Sequence, residues 1–494
     1  METILAIDQS TSATKALLFD VRAGRVVAKA SVEHQQIFPQ PGWVEHDAEE
    51  IWQNTLAVVG QLPVADPVCV SITNQRETVV ALDRATGRPL GNALVWQDRR
   101  GEPPCAALAK AGHDPAVSAK TGLRIDPYFS ASKIAWLMQN RPDIAAALRD
   151  GSAVVGTIDA YLIHRLTAGR TCATDHTNAS RTLLYDIRKL RWDKDLCALF
   201  GVPPQALPAV RDSTARFGQT DFAGRLARPA PICGVMGDSQ ASLLAHRCLH
   251  AGDAKVTLGS GSSILLNVGD AFRPPAAEGG ACGTIAWTHA GRATYSFEGI
   301  INYSGATIAW LKDQLGLIAS AGETEAIAES NPDNGGVYLV PAFGGMSAPY
   351  WAPSARGAMV GLSAHSDRRH VVRAGLESIA YQIRDALQAM RAAAGVELAA
   401  INADGGPTRN RFLMQFIADI IRDSIAAADV AECSPLGAAF AGAVGMGVAP
   451  SLAALAELPR EATVYTPKMP EARAGRLFHG WQRAVRQVLA GVSA

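Results

Sequence analysis

The chain has 494 residues, of which 48% are hydrophobic and 19% charged, a composition typical of a globular protein. This length favours two domains of about 200–250 residues each. Lys+Arg and Asp+Glu balance at 46 each, so charge does not indicate a nucleic-acid or membrane surface. No apolar run approaches the roughly 20 residues of a membrane helix, and no signal peptide is visible. We therefore expect a cytoplasmic protein whose eight scattered cysteines are reduced thiols.

The first predicted element is a β-hairpin. The segment ILAIDQSTSATKALLFD (4–20) places a Ser/Thr-rich turn between two apolar runs. Such a tip is rich in backbone N–H and hydroxyl donors, which can surround phosphate oxygens. A single hairpin of this kind is most often an ordinary hairpin.

The following segments alternate between strand and helix patterns. Residues 68–100 predict strand, loop, strand, turn and strand, and residues 131–140 and 142–150 have helical spacing. The segment GVMGDSQASLL (234–244) places Asp238 after an apolar run and before a predicted helix. Taken alone, such an aspartate is most often a helix N-cap.

The second half begins with another hairpin of the same design, KVTLGSGSSILLNVGD (255–270). Two such hairpins, one opening each half, predict a duplicated phosphate clamp. A long amphipathic helix follows at 370–393, and residues 400–421 predict strand, glycine turn and helix. These patterns favour two α/β domains, at 1–247 and 248–494, with their boundary near 245–254.

Several motifs, in order along the chain, are those of one enzyme family. YFSASKIAWLMQN (128–140) and GLSAHSDRRHVVRAGLE (361–377) resemble the two signatures of the FGGY family of carbohydrate kinases. The blocks that look like the glycerol kinases within that family are PGWVEHD (41–47), SITNQRET (71–78), ALVWQDRR (93–100), RIDPYFS (124–130) and TDHTNASRTLLYDI (174–187).

The resemblance implies two actin-like, ribonuclease-H-like ATPase domains that face each other across a catalytic cleft. ATP would lie mainly on the second domain, with Mg²⁺ on its phosphates and a small polyol or sugar between the domains. Closure of such a cleft excludes water that would compete with the acceptor hydroxyl.

The same resemblance assigns roles at the phosphate end of the cleft. Asp238 is the expected general base, which removes the proton of the attacking hydroxyl. Asp8 is expected near the metal ion, and Thr11, Ser12 and Lys15 are expected to face the transferring phosphate. Lys15 stands where glycerol kinases usually have Arg, which keeps the charge but loses the bidentate fork.

One residue of the first turn departs from the family pattern. Ser10 replaces the usual Gly of the D-x-G-T motif, and it would be strained by about 1 kcal/mol if that position needed a positive φ. We favour the simpler interpretation that the turn tolerates Ser.

For the nucleotide, Ser260 resembles the family Thr that contacts phosphate. Gly305, Gly406 and Asn410 resemble the adenosine-binding positions. The glycines would let the backbone lie against ribose and base, and the Asn410 amide would donate to and accept from the adenine edge.

For the acceptor, Arg76, Glu77, Trp96 and Tyr128 match the polyol-binding positions. An Arg–Glu pair would bracket neighbouring hydroxyls, and the rings would pack on the C–H face of the polyol.

Two acceptor positions differ from the glycerol kinases. Ser239 stands where Gln is expected, with Gln240 one place later, and Ser263 stands where Phe is expected. These changes enlarge the predicted pocket and make it more polar.

Three functions therefore remain open. The first is ATP-dependent phosphorylation of glycerol to sn-glycerol 3-phosphate. The second is the same reaction on a larger polyol or ketose (tetritol, pentitol, xylulose or ribulose), and the third is an actin- or chaperone-like ATPase. The resemblance also implies a homodimer or homotetramer, and the segment FAGRLARPAP (222–231) lacks the loop through which fructose 1,6-bisphosphate inhibits some family members.

Overall fold

The structure is a computed structural model that describes residues 2–272, 274, 280–352, 354–428 and 432–491. The first half of the chain contains the strands β1 (Thr3–Gln9), β2 (Ala13–Asp20), β3 (Arg25–Glu33), β4 (Glu45–His46), β5 (Cys69–Asn74), β6 (Val79–Asp83), β7 (Ala93–Leu94), β8 (Ala153–Thr157), β9 (Ala173–Asp175), β10 (Tyr185–Asp186), β11 (Arg191–Trp192), β12 (Ala209–Arg211), β13 (Arg216–Thr220) and β14 (Ala230–Gly237). Its helices are α1 (Ala48–Gly60), α2 (Glu102–Lys110), α3 (Asp114–Thr121), α4 (Ser130–Asn140), α5 (Pro142–Asp150), α6 (Ile158–Leu166), α7 (His176–Ala179), α8 (Lys194–Leu199) and α9 (Asp238–Ala245).

The second half contains the strands β15 (Ala254–Leu258), β16 (Ser262–Gly269), β17 (Cys282–His289), β18 (Arg292–Ile301), β19 (Tyr338–Val340), β20 (Ala358–Val360), β21 (Ile401–Asp404), β22 (Ile425–Ala428) and β23 (Ala462–Tyr465). Its helices are α10 (Gly305–Asp313), α11 (Glu323–Glu329), α12 (Arg368–Ala394), α13 (Arg411–Ile421), α14 (Cys433–Gly445), α15 (Leu452–Ala456) and α16 (Glu471–Ala490). Both predicted hairpins and the helices predicted from 131, 142 and 370 onward are present in these elements.

The two large sheets repeat one topology. The first has the strand order β13-β14-β5-β1-β2-β3, and the second has the order β17-β18-β16-β15-β21-β22-β23. In each sheet an antiparallel hairpin and a third antiparallel strand are followed by two strands parallel to the first. The two hairpins of similar design therefore lie in two sheets of matching topology, β3-β2-β1-β5-β14 and β18-β16-β15-β21-β22.

A smaller sheet of order β4-β7-β6-β8 lies beside the first large one. Its strands are short, and helices α4 and α5 pack on it. This sheet matters for function because the loops around β6 and β7 hold Glu77 and Trp96.

Helix α14 joins the two halves. It belongs to the second half of the sequence but packs on β1, β5 and β14 of the first sheet and on α9. A Cβ atom at Gly437 would clash with the backbone of Ala241, and one at Gly442 would clash with Ser71 and Cys233. These glycines therefore allow the backbones to approach closely, and the two halves share a buried surface.

The structure also bears on the cysteines and on membrane-spanning helices. None of the eight cysteines forms a disulfide, and all except the half-buried Cys172 are buried. Among the described residues, no helix has both the length and the apolar character needed to cross a bilayer.

Candidate active site

A strained turn begins the acceptor side of the site. Immediately after β5, Thr78 donates its backbone N–H to the carbonyl of Arg76 over 2.7 Å, which places Glu77 at the centre of a tight turn with φ of 63°. A non-glycine residue in this left-handed region is uncommon and costs energy. The first residue of α4, Ser130, stabilises the turn because its hydroxyl donates to the Glu77 carbonyl over 3.0 Å.

Four buried charged side chains meet at this turn, two from the turn itself and two that contact them. Arg76 donates to both oxygens of Glu298 over 3.1 and 2.7 Å. Arg181 lies 2.8 Å from Glu298 and 2.6 Å from Glu77. Burial alone would raise the pKa of Glu298, but Arg181 and Arg76 outweigh it and lower the pKa to about 2. The two guanidinium groups and two carboxylates thus balance, which is the condition for burying charge.

The sequence did not reveal the ion-pair partners of Arg76 and Glu77. Their side chains bind Glu298 and Arg181 and not each other. The pair is part of a four-membered network, and two of its members come from segments more than 100 residues away.

An aromatic wall, formed by Trp96 and Tyr128, lies beside the charge network, with the Arg181 guanidinium 5.9 Å from the centre of the Tyr128 ring. The rings of Trp96 and Tyr128 lie 5.4 Å apart, and each residue is half-buried. The buried ammonium of Lys133, from the first family signature, donates to the carbonyls of Pro127 and Tyr128 over 2.6 and 2.9 Å. Burial lowers the pKa of Lys133 to about 8. Lys133 therefore fixes the backbone that presents Tyr128.

Thr11 belongs to this wall and was expected at the phosphate. Its hydroxyl accepts a hydrogen bond from the Trp96 indole over 3.0 Å. The first hairpin tip is thus tied to the acceptor side, and its neighbour Ser12 is exposed.

Asp238 lies at the edge of the charge network, beside Arg76. Helix α9 begins at this residue, and Gly237 occupies the N-cap position without a side-chain cap, so the N-cap interpretation of Asp238 is wrong. An oxygen of its carboxylate lies 3.1 Å from Nε of Arg76, and the side chain remains 34% exposed. The group is therefore held by a buried cation and is accessible to a ligand.

The two residues that replace expected pocket residues also lie here. Ser263 donates to Glu298 over 3.2 Å, so its hydroxyl joins the charge network. Ser239 is half-buried and follows Asp238 directly. Gln240 does not replace the missing amide, since its side chain is buried and donates to Thr284 over 3.1 Å.

The phosphate end begins with Asp8 and Lys15, which face each other in register on β1 and β2. Oδ1 of Asp8 is buried and has no hydrogen-bond partner among the described residues. Burial raises the pKa of Asp8 to about 7, with Lys15 opposing the shift and Asp238 adding to it. Lys15 pairs with Glu432 over 3.0 Å, and both side chains remain partly exposed.

A cavity of about 380 Å³ connects these groups. It lies between the ends of the two large sheets, with Asp8, Lys15 and Asp238 on one side and the loop after β21 on the other. Its described lining also includes Ser239, Ser242, Lys255, Thr257, Asp404, Gly405, Gly406, Thr408, Arg409 and Glu432. The carboxylate of Asp238 therefore faces the gap between the two halves.

Gly406 lines this cavity, but the position that requires glycine is its neighbour Gly405. Gly405 has φ of 102°, and a Cβ atom there would clash with the carbonyl of Leu258. Only glycine fits at that position, whereas Gly406 has open space around it.

Three expected nucleotide residues lie outside the lining of this cavity. Gly305 donates its N–H to Gly259 over 2.9 Å, and a Cβ atom there would lie 2.7 Å from that carbonyl oxygen. Gly305 thus holds the second hairpin tip against the start of α10. Ser260, at that tip, is exposed. Asn410 caps α13 by accepting from Leu413 over 2.9 Å and donates to Thr324, so its amide is already engaged.

Models of the N-terminal and C-terminal domains of the FGGY family of carbohydrate kinases match residues 3–245 and 254–446. The chain belongs to the FGGY family of carbohydrate kinases. This FGGY kinase is therefore a phosphotransferase, and its two-domain, actin-like α/β fold is confirmed.

Individual relatives cover almost the whole chain. Glycerol kinase 1 of Thermotoga maritima is 43% identical over 492 residues, or 98% of this chain and 99% of the relative. The glycerol kinase of Symbiobacterium thermophilum is 44% identical over 490 residues and 98% of each chain. The crystal structure of Plasmodium falciparum glycerol kinase with ADP has a TM-score of 0.94 at 35% identity, covering 99% of this chain and 98% of that one. A xylulose kinase from Lactobacillus acidophilus, at 22% identity and a TM-score of 0.90, shares the fold.

The site contains residues that the sequence reading did not assign, chiefly Arg181, Glu298, Lys133 and Gly405. Arg181 and Lys133 lie inside matched motifs but carried no role. Glu298 had a signal, since it is the only charged residue in the segment ATYSFEGII (293–301), which follows Arg292 in the same strand. An isolated charge in such a strand indicates a buried ion pair.

Proposed function

We propose that this FGGY kinase transfers the γ-phosphoryl group of ATP to a terminal hydroxyl of glycerol, giving sn-glycerol 3-phosphate. The observation that carries the proposal is the position of Asp238, which contacts the buried Arg76 and also lines the inter-sheet cavity. The relatives named glycerol kinase support the choice of acceptor.

In this proposal the acceptor lies between the charge network and the aromatic wall. Arg76 has donors left for hydroxyl oxygens after binding Glu298, and Glu77 offers an acceptor. Trp96 and Tyr128 cover the C–H face. Ser239 and Ser263 provide hydroxyls in place of the amide and ring found in other glycerol kinases.

Asp238 takes the proton of the attacking hydroxyl as the new O–P bond forms. The barrier to phosphoryl transfer is lowered mainly by positioning and charge neutralisation, so one carboxylate beside the hydroxyl is sufficient as the base. Arg76 holds this carboxylate at the boundary between acceptor and nucleotide.

The phosphate end suits a nucleotide with its cation. The buried, unpartnered oxygen of Asp8 is a hard ligand of the kind Mg²⁺ prefers, directly or through water. When bound there, Mg²⁺ would neutralise charge on the transferring phosphoryl group. Lys15, Thr11 and Ser12 are the proposed phosphate contacts of the first hairpin, and Ser260 is that of the second. Gly305, Gly406 and the backbone around Asn410 are proposed to line the adenosine site.

The proposal extends to the setting of the enzyme. We place it in the cytoplasm as a homodimer or homotetramer that binds neither nucleic acid nor membranes. Because the segment 222–231 lacks the glycine-rich loop, we also expect no inhibition by fructose 1,6-bisphosphate.

A coupled ADP-release assay tests the choice of acceptor. Glycerol, erythritol, threitol, xylitol, ribitol, xylulose and ribulose are compared at saturating Mg·ATP, and we expect the highest kcat/KM with glycerol. Efficient turnover of a longer acceptor with negligible turnover of glycerol would favour the larger-polyol alternative, which rests on Ser239 and Ser263. ATP hydrolysis that no acceptor stimulates would favour the ATPase alternative, which the relatives do not support.

A further inference from the structure

Three side chains with different ligand atoms meet at the junction of the two halves. His246 directly follows α9, Asp404 ends β21 and Cys433 begins α14. One nitrogen, oxygen or sulfur atom of each lies within 4.8 Å of the others, and every one of the three residues is at most 8% exposed. The residues are far apart in sequence, so no metal-binding spacing is visible there.

Asp404 is the centre of this cluster. Nε2 of His246 lies 3.1 Å from Oδ2 of Asp404, and Ser242 donates to the same oxygen over 3.2 Å. The Cys433 thiol also interacts with the Asp404 carboxylate. The imidazole, carboxylate and thiol are therefore already gathered at one point, so an ion that binds them needs no further side chain to approach.

The combination of ligand atoms identifies the class of ligand. A set of imidazole, carboxylate and thiolate suits Zn²⁺ and similar thiophilic ions, whereas Mg²⁺ prefers oxygen ligands alone. Tetrahedral Zn²⁺ with bonds of about 2.0–2.3 Å brings its ligand atoms to roughly 3.5 Å of one another, so a contraction of about 1 Å would close the set. Three protein ligands leave a fourth position for water.

The cluster is also accessible. Asp404 and Cys433 line the 380 Å³ cavity of the active site. His246 and Cys433 line a second cavity of about 560 Å³ on the other side, between β2, β3 and α14. An ion can therefore reach the three side chains without unfolding the protein, as a plausible metal site requires.

We propose that His246, Asp404 and Cys433 form a reversible site for a thiophilic divalent cation of the Zn²⁺ class. Binding forms a metal–sulfur bond and releases the thiol proton of Cys433 to solvent. The ion ties α9, β21 and α14 together. Because Lys255 is buried nearby with its ammonium on Thr257, one positive charge opposes the ion and limits its affinity.

Occupancy of the site inhibits the kinase. Asp238 begins α9, and Gly405 follows Asp404 in the cavity wall. An ion that fixes both elements opposes the closing of the cleft around the substrates. This consequence rests on the proposed function, whereas the metal binding itself does not.

The test uses the full-length, metal-free protein. Zn²⁺ is titrated in competition with a chromophoric chelator, and Co²⁺ is added separately to detect the thiolate-to-metal charge-transfer absorption. We expect one equivalent of Zn²⁺ and a charge-transfer band with Co²⁺. The band should disappear in Cys433→Ser, and the affinity for Zn²⁺ should fall at least about tenfold in His246→Gln.

The control variant is Cys197→Ser, which removes a buried thiol from α8, outside the cluster. It should bind Zn²⁺ like the wild type. Melting curves without metal show whether each variant folds. If Cys433→Ser does not fold, the wild-type Co²⁺ spectrum and the Zn²⁺ affinity of His246→Gln still test the proposal. The proposal is overturned if the wild type binds no stoichiometric Zn²⁺, if Co²⁺ gives no charge-transfer band, or if His246→Gln binds as tightly as the wild type. Inhibition by Zn²⁺ is measured separately, so a failure of the kinase assay does not obscure binding.

Discussion

The acceptor side and the phosphate side of the cleft are built differently. On the acceptor side Arg76, Arg181, Glu77 and Glu298 are buried and each forms an ion pair within the network, while Nη1 and Nη2 of Arg181 have no hydrogen-bond partner among the described residues. On the phosphate side Asp8 has an oxygen without a partner among the described residues, and Lys15 is partly exposed. Under the proposed function, the ion pairs organise the acceptor pocket before substrate binds, whereas the nucleotide and its cation complete the phosphate end.

Asp238 belongs to both regions. It contacts Arg76 of the paired network and also lines the inter-sheet cavity. The comparison therefore predicts that removal of the Asp238 charge abolishes phosphoryl transfer, with little effect on the binding of acceptor or nucleotide.

The largest effect is expected for Asp238→Asn. Loss of a general base lowers kcat by about 10²–10⁴-fold, whereas the affinity for ADP should change by less than about threefold. Steady-state ADP release and calorimetric titration measure the two quantities. Asp143→Asn, at an exposed ion pair, is the matched control and should behave like the wild type. Substantial phosphoryl transfer by Asp238→Asn would show that another group is the base.

A large effect on stability is expected for Glu298→Gln. The change leaves Arg76 and Arg181 buried with one carboxylate fewer, which should lower the free energy of unfolding by about 3–5 kcal/mol. Glu102→Gln, at the exposed Arg99 ion pair, should cost less than about 1 kcal/mol. Urea denaturation compares them. Equal losses in the two variants would mean that the acceptor network is not pre-organised by its ion pairs.

A pH-dependent effect is expected at Lys133. Its folded-state pKa of about 8 lies below the ordinary value, so between about pH 8 and 10.5 the unfolded chain binds more protons than the folded one. Lys133 therefore makes stability rise with pH in this window, by at most about 1.4 kcal/mol per pH unit.

Lys133→Met isolates this contribution. The difference in unfolding free energy between wild type and variant should change with pH from about 8 to 10.5 and should be constant from about pH 5 to 7. Because the variant also loses the ammonium that binds the Tyr128 carbonyl, we expect the KM for glycerol to rise. A pH-independent difference would contradict the lowered pKa.

The smallest effect is expected at the first hairpin tip. Ser10 does not have a positive φ, and its hydroxyl donates to Ala13 over 2.8 Å. Ser10→Gly should therefore destabilise the protein by about 0.5–1 kcal/mol, since Gly adds unfolded-state freedom and also removes the hydroxyl that donates to Ala13. Ser10→Ala separates the contribution of the hydroxyl. An increase in melting temperature of the Gly variant would indicate strain at this turn.

Local patterns predicted the fold well. The two hairpins, α4, α5 and α12 follow from short-range patterns, and the chain length favoured two domains. Motifs that are contiguous in sequence likewise identified Arg76, Trp96 and Asp238 as site residues, and the structure groups them around the cleft.

Tertiary partners were not predictable in this way. Glu298 pairs with Arg76 from a strand of the other large sheet, and nothing near Arg76 in the sequence indicates that contact. Asn410 is a different case, because an Asn directly before an apolar-periodic segment is a common N-cap. That local signal could have shown that its amide is engaged.

The position of the acceptor hydroxyl tests the central claim most directly. A crystal structure with glycerol and a non-hydrolysable ATP analogue should place a terminal hydroxyl within hydrogen-bond distance of the Asp238 carboxylate and in line with the γ-phosphorus. A closed complex in which that hydroxyl contacts a different base, or in which Asp238 points away from the γ-phosphate, would contradict the account.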